Sequence, residues 1–380
     1  MSKKKVLIFH YNKVVSYPPV ISLIQNLLKN NHQVLLVSFD CNSLPQKILR
    51  AKNFRYINIT FTNKKNVVTV INRKLFVYRK IRNIVRENMK KYDVLWTTTD
   101  YSVKILGKTV LNYKHVMQLM ELEYRMPLFG KTKLLSYPIN KYAQRAWKVV
   151  VPEINRAYIQ KAWWDLERLP EVLPNKPYEL QKEISEKYYD QNAKEYFNEK
   201  RKIIIYLGFI GADRDLSKFA EAVRLLDPQE YCLYLIGRID EKWKNKFNLF
   251  LKEHNYVKYL GYYPAPNHQA FLAKAHIGIL PYYVNNDHPY LSPLNTLYCA
   301  PNKIFEYAGF GVPMVGTDVL GLREPFEKFK IGLSAQIFDA EGIANSIKEV
   351  DSKHSEMKMN CKKYFASIDL DYLVEKILSD

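Results

Sequence analysis

Short apolar runs separated by helical spacing organise the chain. Runs of strand length fall at residues 6–10, 33–38, 55–60, 94–98, 115–119 and 149–151, with helical stretches such as 20–29 and 101–111 between them. Continuous apolar strands, as opposed to alternating ones, belong to parallel sheets covered by helices on both faces. A second series begins with Ile203-Ile204-Ile205-Tyr206-Leu207 and continues at 231–236, 257–260, 277–280 and 313–315. Residues 176–202 between the series are polar, charge-mixed and rich in Tyr, Glu and Lys. They read as a linker with some helix. The pattern predicts an α/β protein of two Rossmann-like, doubly wound parallel-sheet domains joined by a hinge. The first spans residues 1–175 and the second 203–365. A last helical stretch at 370–378, within residues 366–380, is expected to cross back onto the first domain.

The turn after the first strand excludes one ligand class. It reads His10-Tyr11-Asn12-Lys13-Val14-Val15-Ser16-Tyr17-Pro18-Pro19, with no GxGxxG. Without those glycines the backbone cannot approach a dinucleotide pyrophosphate there. No GxxxxGK[ST] occurs either, which excludes a P-loop.

A length of 380 residues suits two ordinary domains, and 47% hydrophobic residues allow a core without disulfides or metal. Cys41, Cys232, Cys299 and Cys361 are widely spaced, with no CxxC, and read as reduced buried thiols of a cytosolic protein. Met1-Ser2-Lys3-Lys4-Lys5 leads directly into the apolar run 6–9, so no signal peptide is expected. No apolar run approaches the roughly 18 residues of a membrane span. The charge balance, 58 Lys+Arg against 38 Asp+Glu, is net +20 and calls for an anionic partner.

The densest chemistry lies in Pro301-Asn302-Lys303-Ile304-Phe305-Glu306-Tyr307-Ala308-Gly309-Phe310-Gly311-Val312-Pro313-Met314-Val315-Gly316-Thr317. It predicts a helix over 302–308, a glycine break, and a buried strand. A helix N-terminus with Lys303 in its first turn favours phosphate, and a carboxylate one turn on, Glu306, can take two sugar hydroxyls. The bland alternative is an ordinary helix–turn–strand with a surface glutamate.

This stretch resembles the nucleotide-sugar motif of GT-B glycosyltransferases, in particular the family 4 group, where a glutamate in this place holds the donor ribose. Other segments resemble the family in the same order. Tyr206-Leu207-Gly208-Phe209-Ile210-Gly211-Ala212-Asp213-Arg214-Asp215 looks like the first strand and glycine turn. There Gly208 and Gly211 would admit a diphosphate, beside Arg214 and Lys218. Leu235-Ile236-Gly237-Arg238 looks like the next strand end, and Val257 through Leu260-Gly261-Tyr262-Tyr263-Pro264 like the loop that cradles the base. The helical stretch 268–275 and the strand after it also match. The resemblance implies donor contacts from Asn302, Lys303, Glu306, Gly211, Arg214, Gly237, Arg238 and Tyr262. It covers the second domain well and the first by architecture alone, and it implies two doubly wound domains facing a cleft.

The sequence departs from the retaining pattern of two glutamates separated by seven residues, because the earlier position is Tyr298. Asn295, or backbone amides of residues 292–301, would contact the donor instead. The departure leaves retention or inversion open, and is similar to bacterial polysaccharide glucuronosyltransferases of the xanthan type, which invert. An inverting enzyme needs a base at the carboxyl end of a first-domain strand. Thr97-Thr98-Thr99-Asp100 and Leu119-Met120-Glu121-Leu122-Glu123 end two such strands, making Asp100 and Glu121 the candidates. Their ordinary alternatives are helix caps or ion pairs with Arg125. His10 and His115 read as packed strand histidines. No Asp-x-Asp cluster suggests a metal, so no metal and no cofactor beyond the sugar-nucleotide substrate is expected, with Lys303, Arg214 and the helix N-terminus stabilising the leaving diphosphate.

Residues 64–91 hold ten basic residues and one acid, Glu87. Val67, Ile71, Leu75, Tyr78, Ile81 and Val85 make a core stripe, whereas Phe76 and Val77 fall among the basic residues. Arg73, Lys74, Phe76, Arg79 and Lys80 would therefore face an anionic membrane, unless this is only a solvated face of a core helix. These features together predict a cytoplasmic, membrane-peripheral glycosyltransferase of cell-surface polysaccharide synthesis, with a lipid-linked or polysaccharide acceptor and no nucleic acid partner. The rivals are a GT-B sugar-nucleotide epimerase or phosphorylase and a non-catalytic basic membrane- or nucleic-acid-binding protein.

Overall fold

A computed structural model describes residues 3–60, 67–128, 135–211, 214–284 and 292–380, with backbone alone for 67–75. The chain forms two compact units. Unit 1 comprises the described residues of Met1–Tyr178, Asp287–Asn295 and Asp369–Asp380, and unit 2 those of Glu179–Asn286 and Thr296–Ile368.

Unit 1 carries β1 (Lys5–Lys13), β2 (Gln33–Phe39), β3 (Phe54–Asn58), β4 (Val94–Thr97), β5 (His115–Gln118), β6 (Met126–Pro127), β7 (Ser136–Tyr137), β8 (Lys148–Val151) and β9 (Glu171–Val172). Seven of these form one sheet in the order β3-β2-β1-β4-β5-β8-β9, with every pair parallel. β6 and β7 pair antiparallel by themselves. Val6, Leu7, Ile8 and Phe9 of β1 are fully buried and pair with β2 on one side and β4 on the other. A central strand shielded on both faces requires that unbroken apolar run. The chain winds outward from β1 to β3, then restarts at β4 on the other side. Ligands of such sheets bind outside the carboxyl ends where the order reverses, here between β1 and β4.

Unit 2 carries β10 (Lys202–Leu207), β11 (Tyr231–Ile236), β12 (Val257–Gly261), β13 (Ile277–Leu280), β14 (Met314–Thr317) and β15 (Gly332–Ala335). They form a second all-parallel sheet, β12-β11-β10-β13-β14-β15, which reverses between β10 and β13. The helix Asn302–Phe310 connects β13 to β14. A crossover helix runs back against its strands, so its N-terminus lies at their carboxyl ends. Gly311, at φ +71°, closes it in the left-handed region that suits glycine.

Several elements differ from the pattern-based expectation. The helix expected over 101–111 stops at Leu106 and continues as a 3₁₀ turn, Gly107–Asn112, because Gly107 sits at φ +56°. Asn267–Ala273 is likewise 3₁₀. β9 is too short, and Gly332-Leu333-Ser334-Ala335 of β15 too small-chained, to register as apolar runs. Within residues 176–202 the helix Gln191–Asn198 buries Ala193 and Tyr196 in the unit 2 core, where the Tyr196 hydroxyl donates to Phe271 O at 2.7 Å. The last helix, Leu370–Leu378, packs in unit 1, where Asn26 Nδ2 donates to Asp371 Oδ1 at 2.8 Å and His32 Nε2 meets Glu375 Oε1 at 2.6 Å. All four cysteines are free and buried.

Candidate functional site

In unit 2 three glycines line the carboxyl ends of β10, β11 and β12. Gly208, Gly237 and Gly261 all have positive φ, and Gly237 N donates to Gly261 O at 2.9 Å. The backbones of the first two touch. Pairing also extends past the strand ends: Gly208 N donates to Ile236 O and Ile210 N to Arg238 O, each at 2.9 Å. Those two amides are thus spent within the sheet and are not open to a diphosphate. Gly211 accepts from Arg214 N at 3.0 Å and closes the turn; Ala212 and Asp213 lie outside the described residues.

Cations gather at this turn. The Lys303 side chain lies over Gly208, where an added Cβ would stand 2.3 Å from its Cε and 2.7 Å from its Nζ. Lys303 Nζ is 5.4 Å from the Tyr206 ring centre and 5.7 Å from that of Tyr282, and the Arg214 guanidinium lies 4.1 Å from the Tyr282 ring centre. Thr317 holds Tyr282 at both backbone groups, accepting from its N at 3.0 Å and donating to its O at 2.7 Å. The Asn302–Phe310 helix starts from Pro301 without a side-chain cap, so its first amides, next to Asn302 and Lys303, have no side-chain acceptor at the cap. Lys218, expected here too, instead donates to Phe338 O at 2.8 Å. Arg238 and Tyr262 are exposed at the ends of β11 and β12.

Glu306, one turn after Lys303, is 3% exposed. Its Oε1 accepts from His268 Nε2 at 3.1 Å and Gln269 Nε2 at 3.0 Å. Burial acts to raise its pKa, but His268, Gln269 and Lys303 outweigh it and hold the carboxyl below the ordinary range. Glu306 is therefore an ionised acceptor, and His268 Nε2 carries the hydrogen. His268 and Gln269 were not legible as site residues, since only the fold brings the 3₁₀ turn against this helix.

Unit 1 gathers a second set of groups by its own switch point. Asp100 opens the helix Asp100–Leu106, capped by Thr99, whose Oγ1 accepts from Ser102 N at 3.1 Å. Glu121 is exposed. Glu123, two residues on, has its carboxyl within hydrogen-bonding reach of Asp100, and its pKa is pushed up by burial, then by Asp100 and Glu121, with Lys104 opposing. Its Oε2 is buried without a donor among the described residues. A neutral acid beside Asp100 satisfies both facts, because two adjacent carboxyls cannot both ionise cheaply. The Tyr17 phenol is raised by burial and by Glu121 and Asp100, which places it with them. His10 packs edge-on to Tyr17 at 4.3 Å, with its Nδ1 2.8 Å from Thr98 Oγ1, and burial lowers its pKa to about 3. His115 pairs with Thr97 Oγ1 in the core and is lowered to about 3 by the same cause.

Asn295 belongs to unit 1. Its Oδ1 accepts from Leu122 N at 2.8 Å, and its carbonyl accepts from Arg156 at 2.9 Å. On the basic helix Val67–Met89, Phe76 is 68% exposed, and Arg79 and Lys80 are exposed. Val77, placed by spacing among the exposed basic residues, instead packs against the unit 1 core. Arg73 and Lys74 have side chains outside the described residues. Among the described residues no helix is long and apolar enough to cross a membrane, and no group of three His, Cys, Asp or Glu is placed to hold a metal.

Two units, each an all-parallel sheet whose strand order reverses once and which carries helices, have the α/β architecture of the GT-B class. Residues 201–352 match the sequence profile of the family described as Glycosyl transferases group 1, a span that covers most of unit 2 and under half the chain. Solved structures agree over the whole length. HepE of Anabaena, in complex with UDP and glucose, matches at a TM-score of 0.70 with 13% identity, covering 99% of this chain and 98% of its own. WaaG, a glycosyltransferase involved in lipopolysaccharide biosynthesis, matches at 0.58 with 14% identity and 98% of each chain covered. A putative UDP-N-acetylglucosamine 2-epimerase from Listeria monocytogenes matches at 0.56 with 12% identity, covering 100% of this chain and 95% of its own. No curated protein matches the chain in sequence.

Proposed function

We propose that the protein is a glycosyltransferase that moves a sugar from a nucleotide diphosphate sugar to a glycan acceptor, lipid-linked or polymeric, in cell-surface polysaccharide synthesis. The observation that carries this reading is the pairing of Lys303 over Gly208 with a buried Glu306, held by His268 and Gln269, one turn along the same helix. Lys303, Arg214 and the N-terminus of the Asn302–Phe310 helix bind the diphosphate and stabilise its charge as the glycosidic bond breaks, without a metal. Glu306 accepts from the ribose hydroxyls, and Arg238 and Tyr262 stand at the strand ends where the base would lie. Asp100, backed by the neutral Glu123, or the exposed Glu121 accepts the acceptor proton if the reaction inverts. The exposed Phe76, Arg79 and Lys80 would hold the enzyme on the anionic cytoplasmic face of a membrane, where a lipid-linked acceptor resides.

The UDP and UDP-glucose complexes of HepE make UDP the first probe. Thermal unfolding with UDP, GDP, ADP and dTDP tests the donor site. A ligand at 100 times its dissociation constant adds about 2.7 kcal/mol. Stabilisation by one nucleotide, lost in Glu306→Ala, supports the reading and names the base. No stabilisation by any of the four overturns it in favour of a non-catalytic binding protein.

A further inference from the structure

Glu306 is engaged on one oxygen before any ligand arrives. Among the described residues both of its hydrogen bonds fall on Oε1, from His268 Nε2 at 3.1 Å and Gln269 Nε2 at 3.0 Å. Gln269 is itself held at its other end: its Oε1 accepts from Gln181 N at 3.0 Å. The amide cannot flip without placing an oxygen against the carboxylate and an NH₂ against an N–H donor. Gln269 is 2% exposed, and its neighbours Ala270, Phe271 and Leu272 are buried in the unit 2 core. Both donors therefore come from one rooted 3₁₀ turn, Asn267–Ala273, the kind of support that keeps a binding group in a single orientation. A carboxylate saturated at Oε1 has only Oε2 left to offer.

We propose that His268 and Gln269 are positioning residues of a ribose site: by occupying Oε1 of Glu306 they present Oε2 to the sugar hydroxyls and set a preference for ribonucleotides over 2′-deoxyribonucleotides. This rests on the reading of Glu306 as the ribose ligand. Without the two donors the carboxylate would rotate toward Lys303, whose charge already bears on it. Nucleotide would still bind through its diphosphate, but sugar discrimination would be lost.

The test is calorimetric titration of the intact protein with UDP, GDP and ADP against dUDP, dGDP and dADP. For the base that binds, the wild type should prefer the ribonucleotide about tenfold or more, the worth of a hydrogen bond to a charged group. His268→Leu and Gln269→Leu should shrink that ratio to about threefold or less while deoxynucleotide affinity holds. His268→Gln, whose amide can donate from nearly the same place as Nε2, should restore it. Thermal melts of each variant establish that it is folded. If both Leu variants fold and keep the wild-type ratio while Glu306→Ala abolishes it, the positioning role falls and the ribose reading stands. If the wild type does not discriminate, or Glu306→Ala leaves the ratio unchanged, the ribose reading falls and this inference with it.

Discussion

Gly237 meets Gly208 backbone to backbone: a Cβ added to Gly237 would stand 1.7 Å from the Gly208 carbonyl oxygen. Gly237 also sits at φ +154°, where L side chains are strained. Gly237→Ala must therefore push apart the two turns that frame Lys303. It should cost about 3 kcal/mol or more, since strain alone costs about 1–3 kcal/mol. Denaturant titration reads this, and a near-neutral result would mean the turns can part freely.

Lys303 lies on that turn without carrying the core, so charge and stability should separate. Lys303→Ala should weaken nucleotide diphosphate binding by about 10- to 100-fold, the worth of about 1.5–3 kcal/mol for a charged hydrogen bond. Its melting temperature should change little. A matched loss of affinity for the free nucleoside would place Lys303 away from the phosphates.

Burial in unit 1 makes stability fall at both ends of the pH range. His10 and His115 are held neutral, with folded pKa values of about 3, so the unfolded chain binds more protons below about pH 6.5. Stability is therefore lost as pH falls, by up to about 1.4 kcal/mol per pH unit for each histidine. Glu123 has the opposite sign. Its raised pKa lets the folded chain keep a proton that the unfolded chain releases, so stability declines as pH rises above the ordinary carboxyl range. Glu123→Gln should flatten the alkaline decline and leave the acid limb unchanged. Melting curves from pH 5 to 9 test both limbs.

Leu122 is 1% exposed, and its amide donates to Asn295 Oδ1. Asn295→Ala strands that buried N–H and should cost about 1–3 kcal/mol. The hydrogen-exchange protection of Leu122 should fall with it. Unchanged nucleotide affinity in the same variant would place Asn295 in support of the Glu121 loop and away from the donor.

The exposed Phe76, Arg79 and Lys80 make a membrane prediction that cosedimentation can check. The protein should bind vesicles rich in anionic lipid and not purely zwitterionic ones. Arg79→Glu with Lys80→Glu should cut binding about tenfold or more, at roughly 1 kcal/mol per basic residue lost. Equal binding to both lipid types would remove the electrostatic basis of the proposal.

The parallel sheets, and the helix carrying Lys303 and Glu306, could be read from the chain itself, because buried strands and a helix ended by a glycine break leave local marks. An unbroken run such as Val6-Leu7-Ile8-Phe9 permits little except a central strand, and glycines at 208, 237 and 261 mark where strands end. Local pattern also placed Asp100 and Glu121 at strand ends. What depends on distant segments was hidden. Glu123 is a neutral acid only because the fold buries it against Asp100, and Val77 turns inward although its neighbours are charged. Asn295 joins unit 1 although the strands on either side of it in sequence belong to unit 2. His268 and Gln269 reach Glu306 across 37 or more positions of chain, a contact no spacing announces. Periodicity reports which face of an element is apolar, so it determined the elements. Protonation, orientation and pairing depend on which faces meet, and only the tertiary structure decided those.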